Sequence, residues 1–196
     1  MLKRTAVALG VLIVTFGCGG TNTFEGSVDG NEINIAESIF MPLTHSTTGN
    51  IYGAMLVMTD ATEVCAMFQA FRRPPGATYV SFALIRTEVS GSQIVPLEPN
   101  PATYTVVREF DQSPRPLNFS IAGFVTTDAG CSNTIPYAEA EATSGAVEVQ
   151  GIELRAGGWL TGKFDVTYGT QRDQVTGTFH ASFCEANPFY TSPSCG

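Results

Sequence analysis

The chain has 196 residues, a formal net charge of −8, only 14% charged residues, 20 glycines, 11 prolines and five cysteines. That is one domain's length, and its acidity excludes the basic footprint that nucleic acid or anionic headgroups would require. Low charge, frequent Gly and Thr and many short apolar runs point to an all-β domain.

Lys3 and Arg4 open the chain, an apolar run from Ala6 to Val14 follows, and Thr15-Phe16-Gly17-Cys18 closes it. This is the layout of a secretory signal, and its apolar core is too short for the roughly 20 residues of a spanning helix. A cysteine after a small residue, with Gly19 and Gly20 beyond, resembles the lipobox of bacterial lipoproteins. The resemblance implies cleavage before Cys18, a diacylglycerol on its sulfur and a fatty acyl group such as palmitate on the new amino terminus. Residues 1–17 are then the signal peptide, 18–23 the lipidated cysteine and tether, and 24–196 a single domain. Loss of Lys3 and Arg4 leaves 8 basic against 18 acidic residues. Acyl chains rather than protein charge would hold such a domain at a membrane.

Phe24 to Val28 reads as a first strand, Asp29-Gly30 as a tight turn, and Glu32 to Met41 as the returning arm. Ile51 to Thr59 is nearly all apolar, a strand buried on both faces. Asp60 with Glu63 forms a capping-box pattern, followed by Val64, Met67, Phe68 and Phe71 at helical spacing. Arg72-Arg73-Pro74-Pro75-Gly76 ends that helix. Thr78 to Glu88 is a long strand, and a connection with Pro96, Pro99 and Pro101 follows it. Ala102 to Phe110 and Leu117 to Thr126 are further strands, and Asp128-Ala129-Gly130-Cys131 is a turn. Tyr137 to Thr143 and Ala146 to Leu154 are weaker strand candidates.

Leu160 to Tyr168 and Val175 to Phe183 both alternate strictly, as arms of a hairpin with one wet face. They match each other fifteen residues apart through Thr-Gly-x-Phe, with Gly162 and Gly177 at inward positions. Nine or ten strands and one short helix result: a Greek-key-like β-sandwich, with a closed β-barrel as the alternative.

If Cys18 carries lipid, four cysteines remain for two disulfides, as an oxidising compartment favours. Cys184–Cys195 would pin the tail and leave Cys65–Cys131. The alternative pairing is Cys65–Cys184 with Cys131–Cys195.

Chemistry-bearing patterns are sparse. Gly-x-Ser-x-Gly is absent, and only His45 and His180 offer an imidazole. His180 and Asp165 share the wet face of the last hairpin, so a hydrolase built on them is one alternative; a surface polar cluster accounts for them as simply. Glu139 and Glu141 share one face, and His45 lies in a polar loop. No zinc or EF-hand spacing occurs, and Met41, Met55, Met58 and Met67 fit core runs better than a copper site. No metal or cofactor is therefore expected. Trp159, Tyr168, Phe189 and Tyr190 cluster near the C-terminus and are the candidates for a rim that stacks on glycan or peptide. A barrel carrying an apolar ligand, in the manner of a lipocalin, is a further alternative.

Cys18-Gly19-Gly20, the opening Phe24-Glu25-Gly26-Ser27-Val28-Asp29-Gly30 and the closing Asp173-Gln174-Val175-Thr176-Gly177-Thr178-Phe179 with Phe183-Cys184 resemble small lipoproteins of the myxobacterial type. That family has no activity to carry over. In the sorting rule of enteric lipoproteins, aspartate after the lipidated cysteine causes inner-membrane retention. Gly19 in that place implies outer-membrane delivery. The expectation is a non-catalytic, lipid-anchored envelope module that binds an envelope protein or glycan, or takes part in surface or motility assemblies.

Overall fold

The computed structural model describes residues 21–45, 47–108, 116–186 and 194–196. Cys18 and the tail residues Phe189 and Tyr190 lie outside them. In chain order the elements are β1 (Thr23–Glu25), β2 (Glu37–Thr44), β3 (Ile51–Thr59), α1 (Val64–Gln69), β4 (Arg72–Arg73) and β5 (Thr78–Ser90). Then come β6 (Gln93–Leu97), β7 (Ala102–Val106), β8 (Asn118–Thr126), α2 (Tyr137–Ala140), β9 (Ala142–Ile152), β10 (Trp159–Tyr168), β11 (Asp173–Phe183) and β12 (Ser194–Cys195).

The chain is all-β. Strands β2-β3-β5-β8-β7-β9-β10-β11 neighbour one another in that order, and β11 returns to β2, so the ladder closes. Both seams are parallel and only two residue pairs long: Thr105 and Val106 on Phe119 and Ser120, and Ser182 and Phe183 on Ile39 and Phe40. The closed ladder fits the barrel alternative. The short seams also divide it into two four-stranded blocks that face each other across the core, as sheets of a sandwich do.

Alternation drives the interior. Leu160, Phe164, Val166 and Tyr168 of β10 and Val175, Phe179 and Ala181 of β11 all join one buried cluster with Phe40, Leu56, Phe82, Tyr104 and Phe124. Gly162 pairs with Phe179, and Phe164 with Gly177. A Cβ on Gly162 would stand 2.5 Å from the Phe179 ring, and one on Gly177 2.5 Å from the Phe164 ring. Each phenylalanine lies over the other strand's glycine, so the Thr-Gly-x-Phe match is a reciprocal packing device within one hairpin.

The outer face of β2, β3 and β5 is covered too. Ile39, Met41, Val57 and Tyr79 pack with Val64 of α1 and with Cys184, while Leu43, Ala83, Ile85, Val107 and Phe119 form a third cluster. That cover is why Ile51–Thr59 carries apolar residues on both faces, as its composition predicts.

Several local expectations are corrected. Asp29 and Gly30 do form a left-handed turn, with φ of 49° and 75°, closed by a bridge between Val28 and Asn31. However, β1 pairs with β11, and β2 pairs with β3 and β11, so Glu32 to Met41 is not the partner of Phe24 to Val28. The α1 cap is not Asp60, whose carboxylate instead accepts the Thr78 amide at 2.8 Å. Glu37, from β2, accepts the Val64 N–H at 3.0 Å and satisfies the helix start. Gln93–Leu97, inside the expected Pro-rich connection, pairs with β5 as β6. Tyr137–Ala140 is a helical turn rather than strand. Ahead of β1, Thr21 and Asn22 are held to β11: the Thr21 carbonyl accepts from the Thr178 hydroxyl at 2.7 Å and the Asn22 side chain from the His180 N–H at 2.7 Å.

Candidate functional site

Two disulfides join Cys65 to Cys184 and Cys131 to Cys195, with Cα–Cα distances of 5.6 and 5.5 Å. The preferred pairing, Cys184–Cys195 with Cys65–Cys131, is thereby corrected. Cys184 follows β11 directly and packs under α1, beside Cys65, whereas Cys195 is drawn to the 128–132 turn through the β4–β12 pairing. Disulfides mark a chain that folds in oxidising surroundings, outside the cytoplasm. Among the described residues no helix is long and apolar enough to cross a membrane.

The expected aromatic rim is only partly present. Trp159 is exposed at the start of β10, its ring lying over Gly151. Tyr168 is not a rim residue: it points into the barrel and is fully buried. Its strand parity with Leu160 and Phe164 requires this. Its hydroxyl has no hydrogen-bond partner among the described residues, and burial pushes its pKa well above the ordinary tyrosine range. Phe189 and Tyr190 are outside the described residues.

His180 and Asp165 share a face but do not meet. Thr161 stands opposite His180, and Thr176 opposite Asp165. The pair is therefore four residues apart along the ladder, roughly 13 Å. Asp165 instead accepts from the Gln174 amide at 2.9 Å. His45 packs its ring against Tyr52, centroids 4.9 Å apart. Met41 and Met58 are core residues, and no group of metal-ligating side chains occurs among the described residues.

A polar depression of about 590 Å³ opens where the β10–β11 turn meets β9 and α2. Arg108, Thr143, Ser144, Thr167, Thr170 and Arg172 line it. The Thr143 hydroxyl donates to the Thr167 carbonyl at 3.2 Å, tying β9 to β10. Glu141 pairs with Arg108 at 3.0 Å. Glu139 accepts from both the hydroxyl and the backbone N–H of Thr170. The Thr170 hydroxyl is the main reason its carboxyl lies below the ordinary range. Arg172 holds φ 62°, a left-handed conformation usually left to Gly or Asn. The site escaped sequence reasoning because its residues come from four separate segments, and none has a motif. The left-handed arginine is visible only in the folded turn.

A second, mainly apolar depression of about 330 Å³ lies on the outer face of β3, β5 and β8, lined by Met55, Ala83, Ile121, Val125 and Tyr137. Inside the barrel Tyr104, Phe82, Phe124, Leu160 and Tyr168 are fully buried. Ring pairs such as Phe82–Phe164, 5.0 Å between centroids, occupy it.

No protein-family model matches the chain, and no curated protein or solved structure matches it either.

Proposed function

We propose that this protein is a lipid-anchored, non-catalytic binding module of the cell envelope, delivered to the outer membrane. One observation carries the reading: Cys65, Cys131, Cys184 and Cys195 are all consumed in two disulfides. Of the five cysteines in the sequence, Cys18 alone is left over, and it follows an apolar leader. An odd thiol in an oxidising compartment needs a chemical fate, and acylation supplies one.

Orientation follows from the same premise. Thr23 pairs with Thr178 and Glu25 with Thr176, so the described chain begins nearer the Phe183 end of β11 than its Asp173 end. Three residue steps separate Cys18 from Thr21, a reach of about 10 Å. The polar depression lies by the Asp173 end, seven residues beyond His180 and roughly 23 Å away along the strand. A bilayer holding Cys18 therefore leaves that depression facing outward. The separation of His180 from Asp165 favours binding over hydrolysis at this surface, and the large side chains packed inside, Phe82 against Phe164 among them, favour a surface site over a carried apolar ligand.

Metabolic labelling with a palmitate analogue tests the anchor. Label should enter the wild-type protein and be lost in Cys18→Ser, with the variant moving from the membrane to the soluble fraction. A Cys18→Ser protein that keeps both label and membrane association would refute the anchor.

A further inference from the structure

We infer that the depression at the β10–β11 turn binds a hydroxyl-bearing carboxylate, the chemistry of a sugar acid. This deepens the binding-module reading proposed above and rests on it. The lining is mainly polar: Thr143, Ser144, Thr167 and Thr170 supply hydroxyl-bearing side chains, with Ala138 the one apolar side chain among them. Vicinal sugar hydroxyls both donate and accept: the Thr143 and Thr170 hydroxyls, whose hydrogens go to the Thr167 carbonyl and Glu139, keep lone pairs to accept, and Ser144 can do either.

Charge is the second element. Glu141 already answers Arg108, and Glu139 is turned onto Thr170. Gln174, also in the lining, donates to Asp165. Asp173, next in sequence, accepts from the Asp29 N–H at 2.7 Å. Arg172, exposed in the lining, has no acid partner among the described residues. It is a planar guanidinium whose fork fits a carboxylate in two parallel hydrogen bonds. A left-handed position at a hairpin turn favours glycine, so arginine there carries a conformational cost.

The test titrates full-length protein with glucuronate, glucose and inorganic phosphate at 150 mM salt, following backbone amide resonances by NMR. Glucuronate should shift Thr143, Thr167 and Thr170 saturably, and glucose should bind at least tenfold more weakly. Arg172→Gly should weaken glucuronate binding about tenfold or more, the scale of a hydrogen bond to a charged group. The same variant should melt no lower than wild type, since glycine relieves the turn, so loss of binding cannot be loss of fold. Arg172→Lys should bind at an intermediate level. Equal binding of glucose and glucuronate, binding of phosphate alone, unaltered binding by Arg172→Gly, or no saturable shift would each overturn the inference. Failure here, with palmitate still on Cys18, leaves the anchor intact; an unacylated protein that binds glucuronate refutes the anchor alone.

Discussion

Phe164 and Phe179 show how much of the interior depends on two glycines. Each ring occupies the space that the opposite strand's side chain would fill, so truncating a ring opens a void that the partner glycine cannot close. Phe179→Ala should cost about 3–5 kcal/mol in urea unfolding. Gly162→Ala should also destabilise, because its Cβ would meet the Glu148 carbonyl as well as the ring. Tyr168 presents the opposite case. Its hydroxyl is buried without a partner, so Tyr168→Phe should be neutral or stabilising by about 1 kcal/mol in the same assay.

Buried tyrosines also set an alkaline limit. Burial pushes Tyr79 up to about 12 and raises Tyr104 and Tyr168 as well, against an ordinary value of 10.0. Above pH 10 the unfolded chain releases these protons while the folded one keeps them, so stability must fall as pH rises. For Tyr79 the loss runs from pH 10 to about 12. Urea midpoints should therefore decline across that interval in wild type and less steeply in Tyr168→Phe. A flat profile would contradict the burial of these hydroxyls.

At the scale of elements, legibility tracked how local the determining forces are. The bounds of β3, Ile51–Thr59, were readable because both its faces are apolar, and the two final strands because their alternation is unbroken. The helix was readable in place but not in capping. Its acceptor, Glu37, lies 27 residues before Val64, and no local pattern announces it. Glu37→Ala should cost about 1 kcal/mol by removing that acceptor, a loss that thermal unfolding can measure. Partnership of β1 was misread for the same reason: a tight turn at Asp29-Gly30 names a hairpin but not its length. β6 was missed because Pro96 suggests a loop, although a proline suits an edge strand. Disulfide pairing was open on sequence spacing alone. The 119-residue span from Cys65 to Cys184 closes because α1 packs on the outer face of β2 and β3.

For the whole molecule, a ladder closed by two short parallel seams needs support elsewhere. The disulfides give it: Cys65–Cys184 clamps α1 beside the β11–β2 seam, and Cys131–Cys195 holds the chain's end to the 128–132 turn. Replacing either pair by serines should cost roughly 2–4 kcal/mol, chiefly through the freed unfolded chain. The proposed anchor at Cys18 would present this body with the arginine-bearing turn directed away from the bilayer.

Intact mass spectrometry of the native protein, extracted from membranes in detergent without reductant, tests the anchoring most directly. The expected species begins at Cys18, carries the diacylglycerol thioether and an amide-linked acyl group, and yields peptides joined as Cys65–Cys184 and Cys131–Cys195. An unmodified amino terminus, or a free thiol at position 18, would contradict the account.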